Sequence, residues 1–257
     1  DNYEIICVND QSPDDSQRIL EEYGKKYSEK LHYICNEENI GQGQSRMRAI
    51  AMAKGEYIFF LDSDDYLMED TLTGLMKTMD ENKDLTYGRI FHTWFKKAAF
   101  NVDQGDVIDD GSEQEVDSKV NNDDNFNFSE IYDYKFKNFA NLSEITVLGT
   151  VFKKKFLTDN NIKFNEEQKY YSDPEFWTKV LMNVKNYGYN KDSIYVKRYH
   201  NDKINLPSIS QMEDDRKDAH FVQSFLDCMK LSESKTDIRN HFEKMACDYY
   251  VKVFSRK

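Results

Sequence analysis

Short continuous apolar runs alternate with segments whose apolar residues recur every three or four positions, and this alternation organises the amino-terminal part of the chain. Glu4–Asn9 is a β-rich apolar run of the kind buried on both faces of a sheet. Ser12-Pro13-Asp14-Asp15 follows with an N-cap residue, a proline for the first helical position and acids for the first turn. Ile19, Leu20 and Tyr23 then fall on one side of a helix. Leu31–Cys35 predicts a second strand, and Ser45–Lys54 a second helix stopped by Gly55. Tyr57-Ile58-Phe59-Phe60-Leu61 is the most hydrophobic run in the chain and ends abruptly in Asp62-Ser63-Asp64-Asp65. A helix over about 69–82 and a strand over 84–91 extend the series. Alternating strands and helices predict an α/β fold with a mainly parallel sheet and helices on both faces.

The 96–130 segment is rich in Asp, Asn, Glu and Gln and reads as a polar surface insertion with room for local strands. Order resumes over Ile145–Leu157, a helix follows Ser172-Asp173-Pro174-Glu175, and Ser193–Tyr199 reads as a strand. From Gln211 onward Phe221, Phe225, Cys228 and Met229, then Phe242, Met245, Tyr249 and Val253, mark two amphipathic helices. The expected organisation is therefore an α/β domain over 1–210 and a helical segment over 211–257.

A net charge of −12 over 257 residues, with no long basic stripe, argues against a nucleic-acid partner. No apolar stretch reaches the roughly 20 residues that span a bilayer. No signal-peptide pattern opens the chain. Cys7, Cys35, Cys228 and Cys247 are scattered without a CxxC pair, and Cys7 and Cys35 sit in apolar runs, as buried thiols of a reducing, cytoplasmic compartment would. The sequence starts at Asp1-Asn2-Tyr3 and enters a strand at once, as a fragment would.

Asp62-Ser63-Asp64-Asp65 carries the strongest chemistry. In open parallel sheets ligands bind beyond the carboxyl ends of strands. Three carboxylates gathered there repel one another unless a cation lies between them, and Mg²⁺ or Mn²⁺ suits oxygen ligands. Such an ion bridges the phosphates of a nucleotide. The plainer reading is an acidic turn capping the helix near 69.

Tyr3–Asp15, Asn39-Ile40-Gly41, Ser45-Arg46 and Ala53–Asp65 stand in an order and spacing that resembles family 2 glycosyltransferases of the GT-A fold, most clearly over 3–68 and more loosely to about 210. The resemblance implies an inverting enzyme that moves a sugar from a nucleoside diphosphate, UDP by family default, to an acceptor hydroxyl in bacterial surface glycan synthesis. It implies that Asp10 recognises the base, that Asn39 and Arg46 lie by the nucleotide, and that Asp62 and Asp64 form the metal-binding pair, Asp62 also nearing the ribose. Asp65 would orient them. Asp173 stands where the family places its general base, with Ser172 where Glu is common and Glu175 the second choice. Asp173 and Ser172 also read as helix caps, with Glu175 completing a capping box. Arg198 and His200 loosely match a diphosphate contact and an additional metal ligand, with Asn201–Ser210 as a lid. The family's usual Pro-Val-Tyr-Asn strand does not precede Tyr3, and Gln11 replaces a customary glycine.

A single displacement with a base on the acceptor side and a metal on the leaving-group side needs no covalent nucleophile. A nucleotidyltransferase is the nearest alternative, though it would normally show a Gly-rich basic phosphate loop. A catalytically inactive nucleotide-sugar-binding scaffold is the alternative from another class. Tyr170, Tyr171, Phe176 and Trp177 are candidates for an acceptor cleft or for core packing. A glycan or lipid-linked acceptor, peripheral membrane association and self-association are compatible with the pattern.

Overall fold

The computed structural model describes residues 2–94, 114–115, 146–199 and 215–254. In chain order the elements are β1 (Ile5–Asn9), α1 (Ser16–Lys26), β2 (Leu31–Cys35), α2 (Gln42–Met52), β3 (Tyr57–Phe59), β4 (Tyr66–Leu67), α3 (Thr71–Thr78), β5 (Leu85–Trp94), β6 (Gln114–Glu115), β7 (Thr150–Lys153), α4 (Lys154–Asp159), α5 (Asp173–Asn183), β8 (Tyr187–Tyr199), α6 (Asp215–Leu231) and α7 (Thr236–Phe254). Apart from the β6 pair, the polar 96–130 segment lies outside the described residues, as do His200 and Asn201–Ser210. The chain divides into two compact units, one of Asp1–Ile58, Lys153–Asn183 and Asp215–Lys257, the other of Phe59–Phe152 and Val184–Asp214.

In the first unit β1 and β2 pair in parallel, from Ile5 opposite Leu31 to Asn9 opposite Cys35. β1 was expected to be buried on both faces, yet with one partner strand only Asn9 is buried and Ile5 is 46% exposed. Cys7 and Cys35 are accordingly half-buried free thiols. α1 buries no residue and starts at Ser16, later than the Ser12-Pro13 signal predicts. The reason is local. Asn9 Oδ1 accepts from the Ser12 N–H, and Asp14 accepts from the Ser16 N–H, so the expected cap folds as a turn ahead of the helix. α2 starts earlier than expected, at Gln42, because Gly41 takes φ 90°, which a side chain resists.

The core of this unit is aromatic and lies among α5, α6, α7 and the segment before α5. Phe164 stacks on Phe176 at 4.3 Å and Phe221 on Tyr249 at 3.8 Å. Phe176 and Trp177 are fully buried, which assigns them to packing. The expected capping box on α5 does not form: Glu175 accepts from Asn165 at 2.8 Å and pairs with Lys179 at 2.7 Å.

β3 carries the chain into the second unit, whose sheet runs β7-β5-β8-β4 with β6 also on β5. β5 and β8 are parallel, while β4–β8, β5–β6 and β5–β7 are antiparallel, so this sheet is mixed. β8 is longer than the Ser193–Tyr199 expected. It meets β5 through a register shift between Tyr87 and Arg89, where the Ser193 carbonyl lies so close to Gly88 that a Cβ would clash. Among the described residues, no helix is long and apolar enough to cross a membrane.

Candidate functional site

The carboxyl end of β1 delivers Asp10 to the loop ahead of α2. Its Oδ1 accepts from Asn36 Nδ2 at 2.9 Å and the Ile40 N–H at 2.9 Å, and its Oδ2 from the Gly41 N–H at 2.8 Å. Asn39 was expected by the nucleotide. Here its Nδ2 donates to the Asp10 carbonyl at 3.0 Å. Gln11, where glycine is customary in the resembling family, adopts φ 58°. Its side chain spans the same loop: Nε2 donates to the Glu37 carbonyl at 2.9 Å, and Oε1 accepts from the Asn39 N–H at 3.2 Å. Gln11 thus holds a glycine-like backbone angle while its amide bridges the loop.

Asn36, which carries no distinguishing signal in the sequence, is buried and joins the network. It donates to Ser45 Oγ at 3.0 Å and accepts from Arg48 Nη1 at 2.6 Å. Next to Ser45 on α2, Arg46 Nη1 pairs with Asp173 Oδ1 at 2.7 Å, the two side chains being 10% and 13% exposed. The guanidinium also lies 5.5 Å from the Phe164 ring centre. The approach of α2 to the segment before α5 allows this. A Cβ on Gly43 would sit 3.0 Å from the Ser172 side chain, and one on Gly41 3.0 Å from Lys169. Four predicted site residues, Asp10, Asn39, Arg46 and Asp173, therefore belong to this unit, with Arg46 joined to a partner far along the chain.

In the second unit the turn after β3 gathers Asp62, Asp64 and Asp65, with one carboxylate oxygen from each lying within 4.8 Å of the others. Asp65 is buried, and both its oxygens are engaged. Tyr195 Oη donates to Oδ2 at 2.6 Å, and the Arg198 N–H donates to Oδ1 at 2.8 Å. Tyr195 Oη also accepts from the Asp62 N–H at 3.1 Å. The antiparallel β4–β8 ladder sets this geometry by placing Leu67 opposite Tyr195 and Tyr66 opposite Val196. The Arg198 Nε–H donates to the Asp64 carbonyl, and its guanidinium lies 5.7 Å from the Tyr66 ring centre. Arg198 thus contacts the acidic turn itself.

Burial pushes the Asp65 carboxyl up to about 6; the charges of Asp64 and Asp62 add to the rise, against the bonds from Tyr195 and Arg198. Burial, and then the charges of Asp62 and Asp65, push the Tyr195 hydroxyl well above its ordinary value. It therefore stays protonated and donates. Three clustered carboxylates form an oxygen donor set that fits Mg²⁺ or Mn²⁺. Tyr195 carried no signal in the sequence beyond that of a strand aromatic.

The α/β framework with acidic residues at its strand ends is of the GT-A class. The structure of S. aureus TarS in complex with UDP-GlcNAc has that fold, with a TM-score of 0.61 and 21% identity over 98% of this chain and 64% of that one. Residues 1–104 match the family model "Glycosyl transferase family 2". The poly(ribitol-phosphate) beta-glucosyltransferase of Bacillus spizizenii is 43% identical over 91 residues, 35% of this chain and 14% of that protein. The poly(ribitol-phosphate) beta-N-acetylglucosaminyltransferase TarP of Staphylococcus aureus is 30% identical over 205 residues, 76% of this chain and 52% of that protein. Residues 1–104 belong to glycosyltransferase family 2, and the chain spans less than two thirds of the length of each of these relatives.

Proposed function

We propose that this chain is the transferase part of an enzyme that moves a sugar, with inversion, from a UDP-sugar to a hydroxyl of a bacterial surface glycan at the cytoplasmic side of the membrane. Residues 1–210 would form the transferase domain and 211–257 a supporting helical segment. The observation that carries the reading is the acidic turn: three carboxylates brought within 4.8 Å at the end of the β3 run. The family match and the relatives named as poly(ribitol-phosphate) glycosyltransferases support it.

Asp62 and Asp64 would hold Mg²⁺ or Mn²⁺, because both Asp65 oxygens are occupied by Tyr195 and Arg198. The bound ion supplies neutralisation of negative charge on a diphosphate. Asp65, Tyr195 and Arg198 fix the turn, and His200 would join from beyond the described residues. A carboxylate has about four lone-pair sites. Three of those on Asp10 accept N–H groups, which leaves one direction for the ring N–H of a uracil. Asp173 is the general base. It takes the proton of the acceptor hydroxyl as that oxygen bonds to the anomeric carbon and the bond to the diphosphate breaks. Arg46 holds one Asp173 oxygen and so orients the carboxylate.

Calorimetric titration of the full-length protein with UDP, with and without Mn²⁺, tests the assignment. UDP binding that needs Mn²⁺ and disappears in Asp64→Ala is the expected result. Equal UDP affinity with and without the metal, or no UDP binding at all, would overturn it.

A further inference from the structure

Three N–H groups reach the Asp10 carboxylate. Two are the main-chain groups of Ile40 and Gly41, which a side-chain substitution leaves in place. The third belongs to a side chain, Asn36, whose Nδ2 lies 2.9 Å from Oδ1. Asn36 directly follows β2, is buried, and extends the strand pairing through its own N–H to the Asn9 carbonyl at 2.9 Å. Gln11 and Asn39 tie the same loop together, but they bond to its main chain and not to the carboxylate.

Arg48 decides which way the Asn36 amide faces. A guanidinium has donors and no acceptor, so the amide atom that meets Arg48 Nη1 at 2.6 Å must be the oxygen. The nitrogen is thereby turned to the other side, where it donates to Asp10 Oδ1 and, at 3.0 Å, to Ser45 Oγ. An amide nitrogen has two hydrogens, so both are used. Arg48 stands two positions past Arg46 on α2, and residues two apart on a helix do not face each other. This chain of bonds is therefore separate from the Arg46–Asp173 pair.

The arrangement aims Asp10. Each carboxylate oxygen offers about two acceptor directions. Asn36 and the Ile40 N–H fill those of Oδ1, and the Gly41 N–H takes one on Oδ2, so a further donor is directed to Oδ2. Without the Asn36 hydrogen, Oδ1 regains an open direction that water or a rotated carboxylate can use. An incoming ring N–H then no longer meets a single acceptor.

We propose that Asn36, turned by Arg48, is a positioning residue for base recognition: it closes Oδ1 of Asp10 and leaves Oδ2 alone to accept the ring N–H of a uracil. The assignment rests on the reading of Asp10 above. A contact that only steadies α2 against the loop is the plainer role for the pair, and it predicts something different. Loosening such a contact weakens every nucleotide alike, whereas misdirecting Asp10 weakens only the nucleotide that carries the hydrogen. UDP has that hydrogen on ring N3, and CDP has a lone pair there.

Calorimetric titration of the full-length protein with UDP and with CDP, in saturating Mn²⁺, separates the two. A hydrogen bond to a charged group is worth roughly tenfold to a hundredfold in affinity, so the unaltered protein should prefer UDP by about tenfold or more. Asn36→Leu should lower that preference about fivefold or more by weakening UDP, with CDP affinity within about twofold of the original. Arg48→Met should lower it about threefold, and Arg48→Lys, which keeps a donor for the amide oxygen, should preserve it. Arg48 is exposed, so its variants keep the test valid if Asn36→Leu fails to fold. UDP and CDP weakened alike would overturn the positioning role, and so would a preference that Asp10→Ala removes but Asn36→Leu and Arg48→Met leave unchanged. No preference in the unaltered protein, or one that survives Asp10→Ala, would instead remove the base-recognition reading beneath it.

Discussion

The acidic residues of the two units are partnered in opposite ways. In the first unit Asp10 is met by three N–H donors and Asp173 by a guanidinium. In the second unit Asp62, Asp64 and Asp65 face one another, and the nearby Arg198 uses its Nε–H on a main-chain carbonyl. The first arrangement meets its negative charge with donors from the protein itself. The second brings three like charges within 4.8 Å of one another, an arrangement that favours a bound cation. Bonded donors hold a carboxylate in one orientation, whereas like charges gathered in one turn raise the affinity of that turn for a cation.

The sharpest way to break the comparison is to remove Asp173, which the proposed function also asks to move a proton. Asp173→Asn keeps the volume and a partner for Arg46, and general-base loss typically costs about 10²–10⁴-fold in rate. We expect kcat for sugar transfer to fall in that range, with UDP affinity within about twofold of the unaltered protein. A kcat within tenfold of the original would remove Asp173 from the base role.

Arg46→Ala tests the balanced side from its other partner. It leaves the nearly buried Asp173 without its cation, and breaking a buried pair in this way costs about 3–5 kcal/mol. Denaturant unfolding should show a loss of that order, and a change below about 1 kcal/mol would mean that the pair is solvated in practice. Asp64→Asn should behave in the opposite manner. In metal-free buffer it relieves like-charge repulsion and should leave stability unchanged or raise it by about 0.5–1 kcal/mol, while Mn²⁺-dependent UDP binding falls about 100-fold or more. A destabilised metal-free Asp64→Asn would contradict net like-charge repulsion in the acidic turn.

The sequence made some of this legible and left the rest dark for identifiable reasons. β2 falls at Leu31–Cys35, the bounds the apolar run predicts, because a short β-rich run has few alternatives. The β3 run and its acidic end were equally plain, since hydrophobic patterning and a charge cluster are local signals. The starts of α1 and α2 were not, because each depends on a turn closed by hydrogen bonds or backbone angles that composition only hints at. The partnership of Arg46 with Asp173 crosses 127 positions and follows from packing at Gly41 and Gly43, which no spacing rule encodes. Asn36 and Tyr195 escaped notice because a lone asparagine and a strand tyrosine look ordinary until their partners are in place. Gln11 stood out as an oddity, but only the fold shows its amide reaching Glu37 and Asn39.

Asp65 supplies a finer prediction that joins the two sides, because it is a member of the charged cluster whose own oxygens are fully bonded. Its carboxyl titrates at about 6 in the folded chain against 3.8 as its ordinary value. A proton therefore binds the folded state more tightly than the unfolded one. This contribution to stability is fully present below about pH 4 and is lost as the pH rises through about 6. The difference corresponds to a span on the order of 3 kcal/mol, at 1.36 kcal/mol per unit. Asp65→Asn keeps an acceptor for the Arg198 N–H and a polar partner for Tyr195 while removing the titration. In metal-free protein, the stability of Asp65→Asn relative to the unaltered chain should therefore improve steadily between pH 4 and pH 7, as read from denaturant midpoints. Saturating Mn²⁺ should flatten the trend if the cation neutralises the cluster. A pH-independent difference between the two proteins would show that solvent, and not the buried turn, sets the energy of that carboxylate.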